Sequence, residues 1–487
     1  MSVFLGVDIG TSSSKAVLVD AHGTVVRSAV RTHAVQRPRP GHVEMDGAVW
    51  WDEFVSLAEE LTAGVTVAAV GVSGMGPCAL LTDADGVPLR PAILYGVDTR
   101  ATAEIAALTE RLGGPDAIRA RCGSALSSQA VGPKLAWVAG HEPGVFERAR
   151  RLFMPASWLQ YRLTGSYVLD LHSASQCTPL FDTHALAWHG PWAGLIAPGL
   201  ELPALVWPGD VAGTTTHAIG GIPAGTPVVA GTIDAWTEAV SVGAQRPGDL
   251  MLMYGTTMFL IATVEEALTS PVMWGTVGAF PGTRNLAGGM ATSGAVTAWL
   301  SELTGAGYPQ LLAEAEASGP GARGLLMLPY LAGERTPIQD PDARGVIAGL
   351  TLSHTRGDLY RAALEATALG VRHNVAALRE AGADIRRVVA VGGGTQGGLW
   401  TRIVSSVTGL AQVIPRETVG ASYGAAYLAA AALSPVDIDA WNPPAAIVEP
   451  DPSARDGYGE LYALYRDLYP ATSTIAHTLA ARQRLLA

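Results

Sequence analysis

One pattern is written twice in this chain. Val7-Val19, VDIGTSSSKAVLV, and Met251-Thr263, MLMYGTTMFLIAT, each read as an apolar strand, a turn of glycine followed by hydroxyl residues, and a second apolar strand. The interval is about half of the 487 residues, too long for a solenoid repeat. A chain of this length is also too long for one core. Both facts predict two related domains facing one another, with a boundary near Val242-Gly248. The expected division is 1–242 and 243–434, followed by a helical extension over 435–487.

Composition narrows the class. With 48% hydrophobic and 15% charged residues, the chain has enough apolar surface to bury and is not a disordered one. The net charge of −11 and the scattered arginines give no basic stripe for a nucleic acid. Lysine is nearly absent, with Lys15 and Lys134 standing alone among 32 basic residues. Three cysteines, Cys78, Cys122 and Cys177, form no CxxC pair and fit a reducing compartment. No run has the length of a membrane span, and no signal peptide is read, so the expectation is a cytoplasmic protein without a membrane partner.

Around the repeated units the pattern is mixed α/β. Antiparallel strands open the chain at Val3-Asp8, Lys15-Val19 and Thr24-Arg31. Trp50-Leu61 has helical spacing, and Val67-Ser73 is a continuous apolar strand. Thr102 to Arg162 reads as mostly helical, and Pro227-Ala230 is a strand leading to Asp234. In the second half Gly248-Tyr254 and Met258-Thr263 form the repeated hairpin. Val388-Gly394 runs into a glycine turn before the helix Leu399-Val407, and Gly457 to Leu486 is helical.

Candidate chemistry collects at the ends of these strands. Asp234, in VAGTIDAWTEAV, closes a strand and opens a helix; it either caps that helix or projects from the strand end, where open α/β sheets place their ligands. Asp8 occupies a similar position in the first unit. Gly10-Thr11-Ser12 and Gly255-Thr256-Thr257 suit a phosphate, because glycine admits an anion to the backbone and successive N–H groups form a concave nest. Either turn alone is an ordinary hairpin, but a matched pair can clamp one polyphosphate from both sides. Lys15 is either a counter-charge to that phosphate or a solvated side chain.

Other motifs limit the options. No GxxxxGK[ST] occurs, so bound ATP would need another architecture. Gly392-Gly393-Gly394-Thr395-Gln396-Gly397 spells GxGxxG, with Glu417 beyond it, which keeps a dinucleotide-binding dehydrogenase as a rival. That reading leaves Asp8 and Asp234 without roles. Glu334 and Arg335, in LPYLAGERTP, are expected to form a structural pair. No histidines stand at metal-ligand spacing, and no GxSxG elbow anchors a Ser-His-Asp triad.

With these residues in place, the chain resembles the FGGY family of carbohydrate kinases, most closely its xylulokinase branch, from Val3 to about Ala430. Gly345-Glu365, GVIAGLTLSHTRGDLYRAALE, fits the family's second signature at Gly345, Ile347, Gly349, Leu350, Asp358, Leu359, Ala362, Ala363, Leu364 and Glu365. LPYLAGERTP, GGGTQ, Asp234 and Trp50-Trp51 match in order and spacing. The first signature is partly kept at Lys134-Leu135-Ala136-Trp137, with Val131 and Gly140 departing from it. The resemblance implies an α/β fold of two actin-like (ribonuclease H-like) ATPase domains around a central cleft. It also implies transfer of the γ-phosphoryl group of ATP to a sugar hydroxyl, with Mg²⁺.

Carried over residue by residue, the resemblance makes Asp234 the catalytic base. Asp8 becomes the second acidic residue, and both are placed at the metal-nucleotide. Gly10, Thr11, Ser12, Gly255 and Thr256 would hold phosphates; Gly294, Gly393, Gly394, Thr395 and Gly398 would line the adenosine. The chain departs from the family at the sugar. Xylulokinases read Gln-Met-His where this chain has Met75-Gly76-Pro77, and glycerol kinases carry an Arg-Glu pair at 76–77. Ala235 replaces a polar amide after the base, and Trp236 follows it. The longer segment Ile93-Arg100 keeps Asp98 and Arg100, which with Met75, Gly76, Asp234 and Trp236 make the expected substrate set. The expected partners are a ketopentose and ATP, with D-xylulose first, and ribulose or another ketose or polyol as the alternative. A non-catalytic nucleotide- and sugar-sensing relative is the rival of another class, and a homodimer stands open as an assembly.

Overall fold

The computed structural model describes residues 2–486. Two mixed sheets organise it, and the repeated hairpin sits at the centre of each. In the first, β1 (Val3–Ile9), β2 (Ser13–Asp20), β3 (Val25–Thr32), β4 (Val67–Gly74), β5 (Val211–Thr214) and β6 (Pro227–Val229) lie in the order β5-β6-β4-β1-β2-β3. The second holds β7 (Asp249–Tyr254), β8 (Met258–Val264), β9 (Trp274–Val277), β10 (Arg284–Met290), β11 (Arg387–Val391), β12 (Gln412–Pro415) and β13 (Pro444–Val448), in the order β9-β10-β8-β7-β11-β12-β13. Each sheet therefore has an antiparallel hairpin followed by a third antiparallel strand. Two parallel strands flank its other side, and an antiparallel edge strand closes it. The half-chain repeat is a repeat of topology.

This arrangement disposes of the dinucleotide-binding alternative. The glycine turn after β11 lies beside three parallel strands bounded on both sides by antiparallel ones, not in a doubly wound parallel sheet. The extension also differs from expectation: before its long helix, residues 444–448 add the edge strand of the second sheet, so 435–487 is not helical throughout.

Helices place the two sheets around the cleft. The apolar stripe of α1 (Gly47–Leu61) buries Trp50, Phe54 and Leu57 beneath the first sheet, and full burial of such side chains stabilises by ~1.5–3 kcal/mol each. Further along come α2 (Val131–His141), the short α3 (Leu171–Ser175), α4 (Asp234–Ser241), α5 (Gly294–Thr304), α6 (Arg356–Glu380), α7 (Leu399–Thr408), α8 (Ala421–Ala431) and α9 (Arg455–Leu486). α8, ASYGAAYLAAA, comes from the second half of the chain but packs on β1 and β4 of the first sheet. Its small residues explain this. A Cβ on Gly6 or Gly71 would run into the α8 backbone at Ser422 or Ala425, and one on Gly424 would run into Thr237 of α4. Close packing of α8 against α4 holds the helix that begins with Asp234 between the sheets.

The stretch that carries most of the family resemblance has architectural duties. Thr355 and Asp358 form a reciprocal cap at the start of α6. The Glu365 carboxylate accepts from Arg361 at 2.7 Å, from the Tyr458 hydroxyl at 2.9 Å and from Gly321 N–H at 2.9 Å, tying α6 to α9. No described helix is long and apolar enough to cross a membrane.

Candidate active site

A cavity of about 580 Å³ lies between the sheets, bordered by both hairpins, the start of α4 and the glycine turn after β11. Asp8 and Asp234 share it. Asp8 sits near the carboxyl end of β1, with one oxygen taking the Ser73 hydroxyl at 2.6 Å. Asp234 continues the line of β6, next to the parallel bridge between Gly74 and Ile233, and is the first residue of α4. It is not the helix cap, because Ile233 holds that position. Among the described residues its carboxylate accepts one hydrogen bond, a local one from Ala235 N–H at 2.7 Å.

Electrostatics set these carboxylates apart. Burial, followed by the like charge of Asp8, pushes Asp234 up to about 7, against the single N–H bond that lowers it. Burial also raises Asp8, against the opposing effects of Ser73 and Lys15. Glu238, one helical turn beyond Asp234, borders the same cavity and is raised to about 7, chiefly by burial and then by Asp8. The sequence held a signal for it, since TIDAWTE places 234 and 238 four residues apart on one helix face. Lys15 is exposed, yet it borders the cavity across the hairpin from Asp8, where its charge acts against the rise in the Asp8 pKa.

The glycine turns are divided between wall and support. Gly255, Thr257, Gly392 and Gly393 border the cavity. Thr256 and Thr257 are both exposed, and of the two it is Thr257, not Thr256, that borders the cavity. Gly10, Thr11 and Ser12 do not border it; the Thr11 hydroxyl lies 2.9 Å from that of Tyr95, which does. Gly294, Gly394, Thr395 and Gly398, all half-buried, do not border it either. A Cβ on Gly294 would meet Gly255 O at 2.6 Å, and one on Gly394 would meet Trp400 at 2.8 Å, so both serve close packing.

The expected substrate residues divide more sharply. Asp234, Gly76 and Trp236 border the cavity, with the Trp236 indole donating to Asn285 at 3.1 Å. Met75 is buried behind the wall. Asp98 and Arg100 correct the expectation: they face each other and not the cavity. Arg100 bonds Asp98 and Glu44, each at 2.7 Å, and lies over Trp137, while Asp98 accepts Val43 N–H at 2.6 Å. A buried guanidinium needs such partners, and this one has them internally. Glu334 and Arg335 form no ion pair. Glu334 accepts two backbone N–H groups, from Ala291 and Arg335, each at 2.7 Å, and Arg335 turns to Met290 O and the cavity. Sequence reasoning missed Gln129, Gln176 and Trp274 on this wall; none stands in a motif or a periodic position that marks it.

Comparison with known proteins matches this geometry. The FGGY family of carbohydrate kinases matches through its N-terminal domain over residues 3–241 and its C-terminal domain over 250–433. The chain belongs to this family. It is 31% identical over 448 residues to the xylulose kinase of Escherichia coli K12, covering 89% of this chain and 90% of that one. Identity to the glycerol kinase of Alkalilimnicola ehrlichii is also 31%, over 458 residues, covering 89% and 90%. The crystal structure of xylulose kinase from Rhodospirillum rubrum superposes with a TM-score of 0.91 at 33% identity, covering 97% of this chain and 99% of that one. The fold is therefore the two-domain, actin-like FGGY fold, and the protein is an FGGY sugar kinase of xylulokinase-like type. FGGY kinases use ATP.

Proposed function

We propose that the protein transfers the γ-phosphoryl group of ATP to a hydroxyl of a ketopentose, with D-xylulose as the preferred acceptor. The observation that carries this is the position of Asp234. Its carboxylate stands where the turns at Gly255 and Gly392 meet a wall of aromatic and amide side chains, and burial pushes its pKa up to about 7. Phosphoryl transfer asks a protein mainly for positioning and charge stabilisation, with a carboxylate to orient the nucleophile. Asp234 takes the proton of the attacking hydroxyl, and the backbone of Gly255 and Gly393 approaches the nucleotide. Lys15 balances phosphate charge. Closure of the two sheets on the cavity excludes water as a competing acceptor.

Mg²⁺ fits this chemistry. Burial raises the proton affinity of both Asp8 and Asp234, and the charge of Asp8 raises that of Asp234 further, a repulsion that a cation relieves. Among the described residues no group of three or more His, Cys, Asp or Glu makes a site by itself, and Mg²⁺ characteristically takes one or two carboxylates and completes its shell with phosphate and water. Asp8 and Asp234 would hold it, and its charge would offset that of the phosphates.

Similarity to xylulose kinases at about 30% identity supports the acceptor. One observation favours a second reading, another ketose or polyol such as ribulose: Gly76-Pro77 presents no polar side chain to the cavity. A Cβ at Gly76 would lie 2.7 Å from Ile233 Cγ1, so this chain has filled the space that a side chain there would need. A non-catalytic relative is disfavoured, since a sensor has no need of a carboxylate tuned like Asp234. Coupled ADP release over a panel of ketoses, aldoses and polyols tests the proposal. Acceptor-dependent turnover led by D-xylulose is expected; turnover led by another acceptor would remove xylulose, and none at all would remove the kinase reaction.

A further inference from the structure

His172, on α3, is wholly buried and lies against Trp236, with ring centroids 4.0 Å apart. Its Nδ1 is 2.6 Å from the carbonyl oxygen of Val277. A carbonyl only accepts, so Nδ1 carries the proton. Burial holds the ring neutral by pushing its pKa down to about 3, which leaves Nε2 as a bare lone pair. That lone pair is 2.8 Å from the side-chain amide of Gln176. Only the NH₂ of the amide can point at it, because the amide oxygen would meet it lone pair to lone pair. The Gln176 Oε1 atom therefore has its direction fixed by a histidine one turn away. Among the described residues it has no hydrogen-bond donor, and Gln176 borders the cavity.

Gln129 is fixed in the opposite sense. Its Oε1 accepts Gly96 N–H at 3.0 Å, so the amide offers Nε2, a donor, to the same cavity. One locked acceptor and one locked donor on a wall with Trp236 fit a polyhydroxylated ligand that carries both a hydroxyl and a carbonyl. They also answer the loss of polar side chains at Gly76-Pro77.

We propose that Gln176 determines acceptor specificity. Its Oε1 accepts a hydrogen bond from one hydroxyl of the sugar, and His172 is a positioning residue that fixes the polarity of the amide. This deepens the ketose reading given above and rests on it. A carbonyl or a methylene placed against Gln176 covers the acceptor and leaves it unpaired, so the site rejects sugars lacking that hydroxyl.

The test uses the full chain, its best acceptor and the monodeoxy analogues of that acceptor. In the wild type one analogue should lose about tenfold in kcat/KM, mostly through KM. In Gln176→Leu that penalty should vanish, with the KM for ATP unchanged. His172→Phe, which frees the amide to rotate, should relax the same discrimination and leave the other analogues as they were. Nitrogen NMR of His172 in the wild type should show a neutral ring protonated at Nδ1. Undiminished penalties for every analogue in Gln176→Leu, or a ring protonated at Nε2, would overturn the proposal. Calorimetric binding of the same analogues makes the comparison without turnover. A chain that binds a ketopentose through Gln176 but does not phosphorylate it would therefore overturn the proposed reaction and support the specificity assignment.

Discussion

In the hairpin of the first sheet, Asp8 pairs across the strands with Lys15; in the hairpin of the second sheet, the corresponding positions hold Met253 and Phe259. All four side chains border the cavity. The turns themselves close from the same glycine N–H, through Gly10 to Ser13 O at 3.0 Å and, one residue tighter, through Gly255 to Thr257 O at 3.1 Å. A shared backbone has thus been given unlike chemistry. The first hairpin supplies charge, and the second supplies hydrogen-bond donors on an apolar floor. Asp234 joins the charged side, since its pKa is raised in part by Asp8. This division predicts that substitutions on the two sides fail in different ways.

The largest effect belongs to Asp234→Asn. Removing a general base costs roughly 10²–10⁴ in rate, and the substitution keeps the size of the side chain. Turnover should fall by that order while ATP affinity stays within a few-fold by calorimetry. Wild-type turnover would end the catalytic assignment. Asp8→Asn should follow, with a loss of about 10–100-fold and a raised Mg²⁺ requirement, the scale found when a group that supports a metal is removed. Adding Met253→Asp to that variant breaks the comparison deliberately. If the hairpins were interchangeable, activity would return. The expected outcome is no recovery, because the new carboxylate faces Phe259 and not Lys15.

The same contrast explains what could be read from sequence. The hairpins, Asp8 and Asp234 were legible because strand, glycine and hydroxyl residues are contiguous and obey a local rule of backbone conformation. Trp236 and Gly76 were legible as neighbours of motifs. Gln129, Gln176 and Trp274 reach the cavity from segments far apart in the chain, and nothing local distinguishes them from other residues of their type. Asp98 and Arg100 illustrate the opposite failure. Their polarity suggested a ligand, but a buried Arg100 is already satisfied by Asp98 and Glu44. Polarity predicts the need for a partner without saying whether the partner is internal. The edge strand at 444–448 was missed for a related reason: its residues are mostly exposed, so they carry no alternation to read.

Within the second hairpin the structure separates two adjacent threonines. Both are exposed, but Thr257 borders the cavity, whereas Thr256 lies outside it and uses its carbonyl to hold Ser293 and Ala295 N–H, each at 3.0 Å. Thr257→Val removes a hydroxyl from the cavity wall at the proposed phosphate position, and a hydrogen bond to a charged acceptor is worth ~1.5–3 kcal/mol. ATP affinity should weaken by about tenfold or more, with the acceptor KM unchanged. Thr256→Val should change it less. Equal losses, measured by calorimetry with ATP, would return the phosphate role to both residues.

The smallest effect concerns stability and separates Asp234 from an ordinary surface carboxylate. Its pKa of about 7 in the folded protein lies above the usual 3.8, so the folded chain holds this proton more tightly than the unfolded one. The stabilisation from that proton is complete below the ordinary pKa, and it is lost as pH rises through about 7. The amide introduced by Asp234→Asn has no such proton to lose. The substitution should therefore raise Tm relative to wild type at pH 8 by a few degrees and have much less effect at pH 5. Burial is the first cause of the shift and Asp8 the second, so Asp8→Asn should reduce but not abolish the difference. A Tm difference independent of pH, followed by calorimetry at both values, would mean that Asp234 titrates as an exposed aspartate does, and the buried pair on the charged side of the cavity would lose its electrostatic basis.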